Sequence, residues 1–162
     1  MSYSIVYSSK TGNTALLAQT VREYLEEAEC LYFGPPSPQA LNAQRIYVGF
    51  WTDKGTCDQQ TAAFLSTLTS QEVFLFGTAG FGGDAAYFEK ILELVRAELP
   101  EGVSVAGSYM CQGKMPDSVR RRYEQMEDSP RKRLMLENFD RALAHPGAGD
   151  LEGLKDALGK VK

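Results

Sequence analysis

The chain has 162 residues, of which 43% are hydrophobic and 23% charged, and its formal net charge is −4. These values are ordinary for one soluble globular domain and allow a substantial core. The sequence contains no long basic run, which argues against nucleic acid as a partner. It also contains no apolar run long enough to span a membrane.

The cysteines and the histidine indicate neither a metal site nor a disulfide framework. Cys30, Cys57 and Cys111 are an odd number at wide spacings without a C-x-x-C pair, and His145 is the only histidine. Zinc and iron–sulfur sites need denser sets of these ligands. No export signal precedes the first strand, so we expect a reduced cytoplasmic protein with no metal and no catalytic side chain.

The N-terminal segment predicts a strand followed by a phosphate-binding turn. Residues 3–7 are β-branched and aromatic, which is typical of a buried strand, and residues 14–28 have the apolar spacing of a helix that Asn13 or Thr14 could cap. Free N–H groups converge between the two elements, and the helix adds about half a positive charge there. The turn also supplies uncharged hydroxyl donors, so it suits a phosphate monoester. The predicted phosphate-binding residues are Ser8, Ser9, Lys10, Thr11, Gly12, Asn13 and Thr14.

The remaining chain alternates strands with helices. Further strands are predicted at residues 31–33, 45–50 and 73–77, and a fifth strand starts at 103–106 and is followed by a loop at 111–116. Helices are predicted at 59–68, 84–98 and 117–126. Ser129 and Pro130 then begin a helix that should bury Leu136, Phe139 and Leu143, and Asp150 should cap a short final helix. This βαβ rhythm predicts a parallel α/β sheet with helices on both faces, in one domain over 1–162 with an extended helical C-terminus.

Three loops should meet at the carboxyl edge of this sheet, where such folds bind ligands. They are residues 8–14, 51–58 and 78–84. Trp51, the only tryptophan, offers a stacking face, although core packing or a lid over its neighbours is the alternative. The small residues of the third loop let the backbone approach a flat ring closely. Together the loops predict a site for a phosphate joined to a planar aromatic group.

The run Ser9-Lys10-Thr11-Gly12-Asn13-Thr14 closely resembles the (Ser/Thr)-x-Thr-Gly-x-Thr phosphate loop of the flavodoxin family. The resemblance covers about residues 3–110 and is nearest to the short-chain type. It implies a doubly wound five-stranded parallel sheet of order 2-1-3-4-5, non-covalently bound FMN, and a site at the switch between strands 1 and 3. The last forty residues match no pattern of the family.

The resemblance also implies the residues that contact the flavin ring. Trp51 and Thr52 follow strand 3, and Gly55 matches the glycine whose peptide turns over when the flavin N5 gains a proton. Gly83-Asp84-Ala85-Ala86-Tyr87 is similar to the family's Gly-Asp-x-x-Tyr pattern, although Tyr87 could instead lie on the buried face of its helix. The predicted ring contacts are Trp51, Thr52, Gly55, Thr78, Ala79, Gly80, Phe81, Gly82 and Tyr87.

Three functions remain open. The first is an electron carrier, a monomer or weak dimer, that shuttles electrons between a reductase and an acceptor protein. The second is an FMN-dependent NAD(P)H or quinone-type oxidoreductase, which the short loops and the absence of insertions disfavour. The third is a flavin-free interaction module. The negative net charge favours a basic partner. The basic runs at residues 120–122 and 131–133 are either solvated surface or a site for an acidic partner or a nucleotide phosphate.

Overall fold

Among the residues that the structure describes, the sheet has five parallel strands and one short antiparallel strand. A computed structural model describes residues 1–82 and 84–161. The strands are β1 (Tyr3–Tyr7), β2 (Cys30–Gly34), β3 (Arg45–Asp53), β4 (Thr56–Cys57), β5 (Glu72–Ala79) and β6 (Ser104–Gln112). The parallel strands lie in the order β2-β1-β3-β5-β6, and β4 pairs antiparallel with the end of β3. Counted among the parallel strands, this is the order 2-1-3-4-5, so the predicted fold class is confirmed.

Six α-helices surround the sheet in the part of the chain that the structure describes. They are α1 (Asn13–Tyr24), α2 (Gln59–Leu65), α3 (Ala85–Arg96), α4 (Asp117–Glu124), α5 (Pro130–Ala142) and α6 (Ala148–Gly159). Two 3₁₀ turns, Glu27–Glu29 and Pro38–Asn42, join the first strands. Among the described residues, no helix is both long and apolar enough to span a bilayer.

The two faces of the sheet carry separate cores, as alternating side chains require. Phe74 and Phe76 pack with Leu17 of α1 and Leu154 of α6 on one face. Leu75 points to the other face, into the core beneath α2 and α3. The centre of the sheet pairs large with small residues in register, Gly49 with Phe76 and Phe50 with Gly77. A Cβ on Gly77 would lie 2.3 Å from the Phe50 ring, so the ring requires glycine there.

The C-terminal region adds an excursion between β6 and α6. Its helices α4 and α5 pack against each other, whereas α6 returns to pack on α1 and β6. The excursion, residues 115–144, is closed at its base because the Lys114 amide donates to the His145 carbonyl at 3.0 Å. The excursion contains the two helices that the sequence predicts at residues 117–126 and from Pro130 onward.

Several predicted helix boundaries and caps are wrong. Helix α1 ends at Tyr24 rather than residue 28, and its N-cap is Gly12, at φ 90°, rather than Asn13 or Thr14. Asp150 is the third residue of α6 rather than its cap, and its carboxylate accepts from the Gly147 amide at 2.8 Å. Leu143 follows the end of α5 and is 52% exposed, because the helix turns away from the core there.

The segment 51–58 is a hairpin rather than an open loop. Strand β3 continues to Asp53 and the chain returns as β4. Lys54 and Gly55, between them, have φ values of 54° and 86°. Two positive φ values in a two-residue loop define a type I′ turn, whose twist matches that of paired strands. The hairpin gives the predicted second loop a fixed shape.

Candidate functional site

A cavity of about 700 Å³ opens at the carboxyl ends of β1, β3, β5 and β6. It combines all three predicted loops, and its volume is typical of small-molecule sites. The predicted residues that line it are Lys10, Thr11, Asn13, Thr14, Trp51, Thr52, Gly55, Thr78, Ala79, Gly80, Phe81 and Tyr87. Ser8, Ser9, Gly12 and Gly82 do not line it, and Gly83 of the Gly-Asp-x-x-Tyr pattern lies outside the described residues.

The first loop presents backbone donors to the cavity. Among the described residues, the amides of Lys10, Thr11, Asn13 and Thr14 have no hydrogen-bond acceptor. Asn13 and Thr14 open α1, where first-turn N–H groups have no partner in the helix itself. The Ser9 hydroxyl serves the loop internally, because its Oγ accepts from the amides of Gly12 and Ala15, both at 3.2 Å.

The hydroxyls of this loop differ in whether they already donate a hydrogen bond to another residue. Thr14 is 1% exposed, and its Oγ1 donates to the Phe50 carbonyl at 3.1 Å and lies 3.3 Å from Thr78 Oγ1. The Ser8 hydroxyl donates to Gln60 Oε1 at 3.2 Å. Thr11 is half-buried at the cavity, and its hydroxyl makes no hydrogen bond to any other described residue. Of Ser8, Thr11 and Thr14, Thr11 is therefore the residue whose hydroxyl is free to donate to a ligand.

Two aromatic side chains stand at the cavity walls. Trp51 is half-buried, and the Lys10 ammonium lies 5.0 Å from its ring centroid, within the range of a cation–π contact. Tyr87 both lines the cavity and packs partly against the core beneath α3, so the two interpretations of its position hold together. Phe81 lies at the mouth and is 41% exposed.

The β3–β4 hairpin is fixed at its base. Asp58 caps α2 through its carboxylate, which accepts from the Thr61 amide at 3.1 Å and from the Trp51 amide at 3.3 Å. Further along β3, the Thr52 hydroxyl is buried and has no partner among the described residues. Thr52 lines the cavity. A buried hydroxyl without a partner is costly, and a polar ligand in the cavity would remove that cost.

A fourth segment, which sequence reasoning missed, completes the wall. Gly113, Lys114, Met115 and residues 116–122 in part line the cavity from the end of β6 and from α4. Asn13 Nδ2 donates to the Lys114 carbonyl at 2.8 Å, which ties this segment to the first loop. The carboxyl-edge rule, applied to the fifth parallel strand as well, would have found it.

The Gly80 carbonyl is held by the end of β6 and by α5. It accepts from Gln112 Nε2 at 2.9 Å and from Asn138 Nδ2 at 3.0 Å, and the two side chains also bond to each other at 3.1 Å. Both are buried. A Cβ on Gly80 would lie 2.7 Å from Met115 Sδ, so glycine is required for this close approach. Helix α5 thus fixes a loop that lines the cavity.

The cavity lining is cationic. Lys10, Lys54, Lys114 and Arg122 line it, against one carboxylate, that of Asp53, among the described lining residues. The buried thiols lie elsewhere: burial raises the pKa of Cys57 to about 11 and that of Cys111 to about 12, so both stay protonated near neutral pH. The described residues contain no group of three metal-ligating side chains.

A family profile described as a flavodoxin domain matches residues 4–159. The chain belongs to the flavodoxin family. It is 43% identical to the flavodoxin-like domain-containing protein BilS of Clostridium symbiosum (strain WAL-14163), over 98% of this chain and 94% of that protein. BilS of Clostridioides difficile (strain CD3) is 29% identical over 88% and 85% of the two chains. The flavodoxin of Streptococcus pneumonia TIGR4 shares the fold, with a TM-score of 0.54 at 16% identity, over 89% of this chain and 98% of that one.

FMN is the cofactor of this family, and the residues present fit it. The unpaired amides and the Thr11 hydroxyl are donors of the kind that a phosphate accepts from. Trp51 and Tyr87 supply aromatic surface at the cavity walls. Gly80 lets the backbone line the cavity, and the buried Thr52 hydroxyl has no partner within the described part of the chain. A phosphate joined to a flat polar ring system matches this set of donors and surfaces.

Proposed function

We propose that the protein is an electron carrier that holds FMN in this cavity and exchanges electrons with partner proteins. The observation that carries the proposal is the set of unpaired amides at the start of α1 beside a cavity walled by Trp51 and Tyr87. FMN, when bound, supplies the redox chemistry, and the protein supplies binding and orientation.

The first loop binds the phosphate end. The amides of Lys10, Thr11, Asn13 and Thr14 and the Thr11 hydroxyl are the donors, and the N-terminus of α1 adds its favourable dipole. Lys10 adds one positive charge at the cavity. Ser8 and Ser9 support this loop from behind through their bonds to Gln60 and to the loop amides.

The other walls bind the ring. Trp51 and Tyr87 exclude water from its faces, and Thr52 offers its buried hydroxyl. Gly55 lines the cavity within the type I′ turn, where glycine permits a peptide to change orientation at low cost. We propose that the Gly55 peptide would turn over and accept a hydrogen bond from the ring when the flavin N5 is protonated.

A second candidate function is an FMN-dependent NAD(P)H or quinone-type oxidoreductase. The observation that favours it is the segment after β6, which adds a cavity wall with Lys114 and Arg122. This wall gives a second substrate a surface that the three predicted loops alone do not.

Two measurements test the proposal. The purified protein, or the protein mixed with FMN, should have the absorption spectrum of a bound flavin, and colourless protein that takes up no FMN would refute FMN binding. The holoprotein is then mixed with NADPH and with NADH without oxygen. A carrier bleaches only when a partner or a chemical reductant is added, whereas rapid bleaching by the nucleotide alone would identify the oxidoreductase.

A further inference from the structure

We propose that the cations around the cavity form a docking surface for an acidic redox partner protein. We call Lys10, Lys54, Lys114 and Arg122 the cationic rim. The inference rests on the proposed function, because it concerns the protein that exchanges electrons with FMN in this cavity. It replaces the basic partner expected from the net charge.

The cationic rim opposes the charge of the whole chain. The protein carries a formal charge of −4, yet four cations line the cavity against one carboxylate among the described residues. The four side chains come from separate segments, namely the first loop, the hairpin tip, the end of β6 and α4. All four are exposed, and none forms an ion pair with a described residue.

The arginine run of α4 separates into three roles. Arg120 is neutralised locally, because it pairs with Glu124 at 2.9 Å and with Asp140 at 3.1 Å. Arg121 is exposed and does not line the cavity. Arg122 lines the cavity and forms no ion pair with a described residue. Of the three arginines, Arg122 is therefore the one that lies at the cavity. Arg121 provides a matched control for Arg122.

A protein partner suits this arrangement better than a small anion does. Small-ligand sites hold their polar groups in place inside the cavity, whereas the rim cations are exposed and spread over four segments. Exposed charges at the edge of an interface mainly steer association and set orientation. An acidic partner is repelled by the rest of this acidic protein and attracted at the cavity. It therefore docks where the electron leaves.

The first test uses two small oxidants of equal and opposite charge. Reduced, FMN-saturated protein is mixed with hexacyanoferrate(III) or with hexaammineruthenium(III). Each ion accepts one electron, so two ions reoxidise one fully reduced FMN. At an ionic strength of about 10 mM, Arg122→Gln should slow the anionic oxidant about two- to fivefold and accelerate the cationic one by a similar factor. Arg121→Gln should change neither rate by more than about 1.5-fold, because it does not line the cavity.

The second test uses a protein probe. A reduced, acidic plant-type [2Fe–2S] ferredoxin is mixed with oxidised holoprotein at about 100 mM ionic strength, where charges more than about 10 Å apart are largely screened. Arg122→Gln and Lys54→Gln should each lower the second-order rate constant at least about twofold, while Arg121→Gln should leave it unchanged.

The outcomes separate the two proposals. If Arg122→Gln changes the rates with the small ions but not with ferredoxin, the rim attracts small anions and the docking surface is refuted. If both oxidants change in the same direction, or neither changes, the rim has no electrostatic role and the inference also fails. If the protein takes up no FMN, or exchanges electrons with no probe, the proposed function fails instead.

Discussion

Thr11 and Thr14 both belong to the phosphate loop, but the structure predicts that they act on different quantities. Replacing each by valine removes a hydroxyl at nearly constant volume. The Thr14 hydroxyl already donates to the Phe50 carbonyl and lies beside the Thr78 hydroxyl. The Thr11 hydroxyl makes no bond to any described residue and lies at the cavity. Thr14→Val should therefore lower stability, and Thr11→Val should weaken FMN binding.

The magnitudes follow from the hydrogen bonds involved. Thr14→Val removes two buried hydrogen bonds, which contribute about 1–3 kcal/mol in total to the free energy of unfolding. For a domain of this size the apoprotein should then melt about 3–10 °C lower. Thr11→Val removes one hydrogen bond to a charged phosphate, about 1.5–3 kcal/mol. That loss raises the dissociation constant for FMN about 10- to 150-fold.

Two assays on the apoproteins separate these effects. Urea unfolding measures the stability of wild type and both variants, and quenching of FMN fluorescence measures affinity. Thr11→Val is expected to unfold like wild type, and Thr14→Val to bind FMN within about fivefold of wild type. The reasoning is refuted if Thr14→Val keeps full stability and loses as much FMN affinity as Thr11→Val, because its hydroxyl would then donate to the phosphate.

Three further predictions test other parts of the molecule. Trp51→Ala should restore flavin fluorescence in the holoprotein, because a stacked indole quenches it, and should weaken FMN binding at least about threefold; Trp51→Phe should keep most of the affinity. Asn138→Ala should lower the free energy of unfolding by about 1–3 kcal/mol and weaken FMN binding, since it frees the Gly80 carbonyl on one side. Burial raises the pKa values of Cys57 and Cys111 to about 11 and about 12, so the folded state retains protons that an unfolded chain loses. The stabilisation is complete below about pH 8.5 and falls by up to about 1.4 kcal/mol per pH unit for each thiol between about pH 9 and 10, where Cys111→Ala should halve this slope. Above about pH 10 the tyrosines Tyr3 and Tyr109 also contribute, because burial raises their pKa values as well.

Each of these predictions has a measurement that would contradict it. Unchanged emission of the Trp51→Ala holoprotein would remove this ring from contact with the flavin. Exposed Glu137 neighbours Asn138, so Glu137→Ala is the control, and equal stability of the two variants would deny the role of the buried amide. Urea unfolding at constant ionic strength checks the thiols, and equal pH slopes for wild type and Cys111→Ala would exclude Cys111 as a cause.

The first strand, loop and helix could be predicted because local signals and the global fold agree there, whereas the strand order followed from the resemblance to the flavodoxin family. A β-branched run, a hydroxyl-rich turn and a helical apolar spacing follow one another within residues 3–25. The roles of the individual hydroxyls could not be predicted in the same way. Thr14 bonds to Phe50 and Ser8 to Gln60, residues 36 and 52 positions away, so only the folded chain determines which hydroxyl is free.

The fourth cavity wall was missed for a different physical reason. Its segment follows β6, whose apolar pattern is weak, and the sequence placed a loop from Cys111 whereas β6 continues to Gln112. The helices that follow carry short apolar faces on a charged surface, so periodicity indicated helices but not where they pack. Long-range bonds fix the excursion against the cavity, among them the bond of Asn138 to the Gly80 carbonyl and that of Asn13 to the Lys114 carbonyl.

Charge is the property for which a sequence average misleads most. The net charge of −4 averages over the whole surface, but in the proposed carrier an electron would leave through the small part around the cavity. There the four cations of the rim outnumber the carboxylates, and two of them, Lys114 and Arg122, come from the segment that the fourth wall contributes. At ordinary ionic strength, interactions between exposed charges more than about 10 Å apart are largely screened. In the proposed carrier, the rim cations rather than the net charge of the protein would therefore determine which face of a partner approaches the cavity. In the proposed carrier, the segment after β6 therefore links the fold to the choice of partner: it supplies the fourth wall, bonds to the Gly80 carbonyl through Asn138, and adds two of the four rim cations.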